Sequence, residues 1–123
     1  MEKTNKQRPE LPKTLLDNAR TEAEDFQNRV LRPIIKMQSD LLIAYVNSKL
    51  ESLSVQFSTL TKDEQTHYLT QLFMKDIAFK REVIGMILGH LTLEEYRTYA
   101  GLTKELNRRI VQIILQRATD ILI

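Results

Sequence analysis

The chain has 123 residues, of which 42% are apolar and 28% charged, with no cysteine and only three glycines and three prolines. That length fits one domain with its own hydrophobic core, the apolar fraction excludes a disordered chain, and the missing cysteines exclude disulfides, thiolate metal sites and thiol nucleophiles. The net charge of +2 comes from residues 1–20, with five cations and three anions, while residues 21–123 carry thirteen of each sign, a neutral body that argues against a broad phosphate-binding surface.

The opening stretch MEKTNKQRPELPK is charged and has no apolar run, so it reads as neither a secretory signal nor a membrane anchor. Together with the missing cysteines this makes the expected setting the cytoplasm. The longest unbroken apolar run, Leu41 to Val46, is about a third of the ~20 residues a spanning helix requires, so no membrane partner is expected. Pro9 and Pro12 among dense charge make residues 1–20 a flexible arm, with at most one helical turn near Leu15 and Leu16. Such an arm could still order on a partner. The folded domain is expected over residues 21–123.

Thr21-x-x-Glu24 is a capping box that opens the first helix. Phe26, Val30 and Leu31 follow at helical spacing until Pro33, whose ring and missing N–H predict a break or kink near Arg32. From Pro33 the apolar positions Ile34, Ile35, Leu41, Leu42, Tyr45, Val46 and Leu50 predict a long central helix, about 35 Å if it reaches Val55 unbroken. Its middle, Leu41 to Val46, is apolar around most of its circumference, which predicts cover on several sides. Ser52, Ser54 and Ser58 weaken its end.

Thr61-x-x-Glu64 opens the next helix, with Tyr68, Leu69, Leu72 and Phe73 as its buried face. Asp76 is placed to cap another that carries Ile77, Phe79, Val83, Ile84, Ile87 and Leu88. Thr92-x-x-Glu95 is a third capping box, with Leu91 and Tyr96 as its hydrophobic staple and Gly101 as the glycine that ends the helix. A last helix from about Thr103 carries a wide apolar face through Leu106, Ile110, Ile113, Ile114, Ala118 and Ile121. The expected fold is therefore all-α: a compact bundle of five helices, six if the arm adds one, around the long central helix, with no sheet.

Chemistry is sparse in this sequence. His90 and Glu94 stand four apart, but Thr92 starts a helix between them, and zinc takes three or four ligands. His67 sits in a first turn whose acids complement the helix dipole. No nucleophile stands in a motif with a base, and no P-loop, G-x-S-x-G, H-E-x-x-H or dinucleotide fingerprint occurs. No catalytic residue, metal or cofactor is expected. Gly85-x-x-x-Gly89 is read as close backbone packing against the central helix, or as a gap shaped for a ligand. Lys75, Asp76, Lys80 and Arg81 form a charge cluster at a helix start, and Arg109 and Arg117 lie beside the apolar stripe of the last helix. The terminal Ile121, Leu122 and Ile123 offer more apolar surface than one short bundle obviously buries, which points either to self-association or to docking in the chain's own core.

The segments Leu31-Arg32-Pro33-Ile34-Ile35-Lys36-Met37-Gln38, Lys75-Asp76-Ile77-Ala78-Phe79-Lys80, Gly85-Met86-Ile87-Leu88-Gly89, Thr92-Leu93-Glu94-Glu95-Tyr96-Arg97-Thr98-Tyr99 and Leu106-Asn107-Arg108-Arg109 resemble a family of short helical bacterial proteins often labelled glyoxalase by automatic transfer. The resemblance covers about residues 25–118 and implies a shared helical fold. The label itself finds no support in the residues, because the chain has neither the metal-ligating strands of one glyoxalase class nor the T-H-x-H-x-D-H motif of the other.

Three functions follow as expectations. The first is a non-enzymatic helical interaction protein, a homodimer or a subunit of a larger cytoplasmic complex, whose contacts are drawn from Arg32, Gln38, Lys75, Asp76, Arg81, Arg109, Ile121, Leu122 and Ile123. The second is a small-molecule binder or enzyme with a pocket beside Gly85 and Gly89, lined by Arg32, Gln38, Asp76 and Arg81. The third is a nucleic-acid accessory protein using the basic arm and the last helix.

Overall fold

The computed structural model describes residues 7–9 and 21–123. The helical turn expected near Leu15 and Leu16 lies outside them. Among the described residues the architecture is all-α with no strand, as the periodicity predicts.

Helix α1 (Glu22–Phe26) starts where the Thr21 hydroxyl accepts from the Glu24 N–H at 3.0 Å. Glu22, Glu24 and Asp25 fill its first turn, at the positive end of the helix dipole. The chain then widens into a π-helical turn (Gln27–Leu31) before α2 (Arg32–Met37). Pro33 accounts for the widening: it cannot donate to Arg29, and its ring would press on that carbonyl in an α-helical register. The Arg32 N–H reaches back five residues to Gln27 O instead. The break expected near Arg32 is thus a one-residue bulge, and the helix continues through it.

The long central helix is not continuous. Gln38, at φ −95° and ψ 10°, separates α2 from α3 (Ser39–Ser52), and α3 stops before Val55. The 3.6-residue pattern spans the break because backbone bonds flank it, Gln38 N–H to Ile34 O and Leu42 N–H to Gln38 O, both 2.9 Å. The serine effect is visible at the far end, where Ser52 Oγ donates to Lys49 O at 2.7 Å. After a single 3₁₀ turn (Phe57–Thr59), α4 (Lys62–Lys75) opens on Thr61, with both bonds of the capping box formed. Asp76 caps α5 (Ile77–Leu88) by accepting from the Phe79 N–H at 3.0 Å. Thr92 and Glu95 form the second complete box at the start of α6 (Leu93–Ala100).

Gly101 ends α6, but in the right-handed region at φ −79° and ψ −11°, so it is not the left-handed terminator expected from its type. The turn closes through Gly101 N–H to Thr98 O and Leu102 N–H to Tyr99 O, and α7 (Thr103–Leu122) follows.

Helix α7 is the organising strut, in contact with the π turn and with α2 through α6. Its stripe Leu106, Ile110, Ile114 and Ala118 recurs every four residues and is fully buried. The other half of the core joins Leu31, Ile34, Ile35, Leu42 and Val46 to an aromatic group in which Phe79 stacks on Tyr45 and meets Phe73 edge-on. Cover around the middle of α3 is incomplete: Leu42 and Val46 are buried, yet Leu41 is 53% exposed and Ala44 faces solvent.

Gly85 corrects another expectation. A Cβ built there meets nothing within 4 Å, so the glycine is not a close-packing contact with the central helix. A glycine in a helix interior costs conformational entropy and removes no clash here. Gly85→Ala is therefore expected to raise the unfolding free energy by about 0.5–1 kcal/mol, read as a higher urea midpoint at unchanged m-value.

Candidate functional site

The positions singled out by sequence do not converge on one pocket. Gln38 is buried, with its Nε2 2.5 Å from His90 Nε2, so it is a structural bridge and not a surface for partners. Asp76 is occupied as a cap and pairs with Lys49 at 3.2 Å. The Phe79 N–H bond and Lys49 hold its carboxyl below the usual range. Arg32 and Arg81 line two separate clefts. The binding pocket expected from Arg32, Gln38, Asp76 and Arg81 beside Gly85 and Gly89 is therefore not assembled. Lys75 is exposed at the end of α4. Of the terminal residues, Leu122 and Ile123 pack partly on the core while Ile121 stays 53% exposed, so the chain end divides between the two readings given for it.

The first cleft is an apolar groove of about 390 Å³ between α5 and α7, closed at one end by the last turn of α4. Its floor is Met74, Ile77, Ile84 and Val111, and its rim carries Lys80, Arg81 and Arg108. No carboxylate lines it. The spacing explains the floor: Ile77, Arg81 and Ile84 lie at i, i+4 and i+7 on α5, one face away from the buried stripe Phe79, Val83 and Ile87. Ile77 is 62% and Met74 52% exposed. The sequence reading named the apolar positions of α5 without dividing them between two faces.

The second cleft, also about 390 Å³, lies where the π turn and α2 meet the C-terminal half of α7. Arg32, Arg109 and Arg117 line it, together with the amides of Gln27 and Gln112 and one carboxylate, Asp120. Arg109 is fixed by two acceptors, Gln27 Oε1 at 3.0 Å and Glu105 Oε1 at 3.1 Å. Arg117 donates to Ser39 Oγ at 3.3 Å.

A third arrangement was not foreseen from sequence. Arg8 of the N-terminal stretch pairs with the Glu95 carboxylate at 2.8 Å and donates to the carbonyl of His90. Partial burial pushes the Glu95 carboxyl up, but the bonds from Arg8 and Thr92 outweigh it and leave the group below its ordinary range. Glu95 thus serves the helix cap and the docked arginine at once.

Burial and a bond to Glu82 push the Tyr45 phenol up to about 12. Burial likewise raises Tyr99, against the opposing effect of its 2.6 Å bond to Asn107 Oδ1. Both phenols are placed as hydrogen-bond donors. Among the described residues no three His, Asp or Glu side chains come together as metal ligands, and no helix is long and apolar enough to cross a membrane. The chain matches no known family model, no curated protein and no solved structure.

Proposed function

We propose that the protein is a helical interaction module that receives an acidic amphipathic segment of a partner protein in the groove between α5 and α7. The observation that carries this reading is the pairing of an apolar floor, exposed Met74 and Ile77 beside half-buried Ile84, with a rim of three cations and no lining anion. Of the three cations Arg108 alone has a carboxylate nearby among the described residues, Glu105 at 3.8 Å. Isolated apolar residues on a surface are ordinary, but a concave set is the form that takes the i, i+3, i+4, i+7 face of a partner helix. Rim charge then selects among such helices, since a basic segment would meet Lys80, Arg81 and Arg108 with like charge. The same argument disfavours a second copy of this chain bound groove to groove, because an isologous contact would bring two all-cationic rims together.

The test uses a defined probe. A fluorescently labelled helical peptide with apolar residues at that spacing and glutamates on its flanks is titrated with the full chain, beside a twin carrying lysines instead. Saturable anisotropy with the acidic peptide alone is expected, weakened by salt. Ile77→Ser and Arg81→Glu are each expected to weaken it by about tenfold. Equal binding of the two peptides, no binding of either, or indifference to both substitutions would overturn the proposal.

A further inference from the structure

The cleft beside the π turn makes a different demand from the groove. The body of the chain is electrically balanced, yet three of its thirteen cations line this one opening, where Asp120 is the one lining carboxylate and Glu105 pairs with Arg109 from behind at 3.1 Å. With Arg109 paired to Glu105, Arg32 and Arg117 remain against Asp120 alone, an excess of positive charge that favours an anion in the opening. Two of the three are also held in place. Arg109 is clamped by Gln27 and Glu105, and its Nε is buried with no hydrogen-bond partner among the described residues. Leaving a buried donor unmet is uncommon, so the guanidinium of Arg109 is fixed in place without being fully satisfied. Arg117 is tethered by Ser39. Arg32, the third, is exposed at the mouth and has no protein partner among the described residues.

The π turn fits the same purpose. Its extra residue puts Gln27 and Arg32 on the cleft side of the helix, where Gln27 Oε1 can fix Arg109 while Arg32 extends over the opening. Bulges of this kind recur where a helix must present side chains to a ligand.

We infer that this cleft binds a small phosphorylated molecule, its phosphoryl group held by Arg32, Arg109 and Arg117. Arginine forks match the tetrahedral oxygens of a phosphoryl group, and with Arg109 paired to Glu105 the two others still exceed the one lining carboxylate. About 390 Å³ is larger than a bare phosphate and within the range of small-molecule sites. The amide of Gln112 and the carboxylate of Asp120 supply partners for hydroxyl groups on the rest of the ligand. Asp120 also sets a limit, because a second charged group on its side of the cleft would be repelled.

None of the three arginines lines the groove, although Gln112 lines both openings, so the arginine variants test this cleft separately. The probe is inorganic pyrophosphate, titrated into the full chain at constant ionic strength and followed by the melting temperature and by the side-chain Nε–Hε resonances of the arginines. A saturable rise in melting temperature is expected, with shifts confined to Arg32, Arg109 and Arg117. Arg32→Gln and Arg117→Gln, neither of which removes a buried contact of the core, are each expected to weaken binding by roughly ten- to a hundredfold. A non-saturating response equal to that of chloride, or a response unchanged in the Arg32→Gln/Arg117→Gln double variant, would overturn the inference. So would cosedimentation with anionic lipid vesicles that needs these arginines when pyrophosphate itself has no effect, which would reassign the cleft to a membrane surface.

Discussion

Phe79→Ala is expected to lower the unfolding free energy by about 3–5 kcal/mol. Phe79 is fully buried and couples two parts of the core, stacked on Tyr45 of α3 at 5.7 Å and edge-on to Phe73 of α4 at 4.9 Å. Truncation removes both ring contacts, each worth about 0.5–1.5 kcal/mol beyond the area it buries, and leaves a cavity among side chains that belong to three different helices. At ~0.05–0.15 kcal/mol per residue a chain of this length holds about 6–18 kcal/mol in total. The loss is therefore a large share of the whole, visible as a marked fall in the urea midpoint by far-ultraviolet circular dichroism. A loss below about 1 kcal/mol would mean that α3, α4 and α5 do not share one packed centre. Because α5 also carries the outward stripe Ile77, Arg81 and Ile84, this variant loosens the groove from behind without touching its surface.

What could be read from the sequence and what could not divides by the range of the forces involved. Capping is local, so Thr61, Asp76 and Thr92 announced their helices through contacts no more than three residues away. The stripe Leu106, Ile110, Ile114 and Ala118 was equally legible because periodicity needs no knowledge of the partner surface. Pro33 showed that something must happen near Arg32, but a proline is compatible with a break, a kink or a bulge. The stop at Gln38 was not legible at all, and the partner of its side chain is His90, 52 residues away. Gly101 misled for a related reason: glycine permits a left-handed turn without requiring one, and the reversal is made at Leu102 by ordinary backbone.

The two candidate surfaces follow the same division. The groove could have been found in the sequence, because Ile77, Arg81 and Ile84 share a helical face that Phe79, Val83 and Ile87 do not. It was missed because the apolar positions of that helix were not divided between its two faces. The arginine cleft could be half found. Arg109 and Arg117 lie eight apart on one side of α7, but the approach of Arg32 and Gln27 to that side depends on how the π turn crosses α7. Arg8, from a stretch with no helical signal, reaches Glu95 across 87 positions, and nothing in its neighbourhood foretold the contact.

The bridge from Gln38 to His90 carries the other large expected effect. Gln38 is the buried polar side chain at the joint between α2 and α3, and its amide meets an imidazole from the turn between α5 and α6. If the amide nitrogen donates, His90 Nε2 accepts, which an imidazole does only when neutral with its proton on Nδ1. Gln38→Ala removes the amide, leaves a gap at a buried position, and breaks the contact with the His90 ring. A cost of about 2–4 kcal/mol is expected. Volume and hydrogen bonding separate in Gln38→Leu, which fills most of the gap and should recover only part of the loss. In a double-mutant cycle with His90→Ala the two losses should fail to add by on the order of 1 kcal/mol, because the second substitution removes a bond already broken. Full additivity would mean that the amide and the ring do not interact in solution. The break in the central helix would then not depend on the side-chain bridge, and Gln38→Leu would be expected to leave it in place.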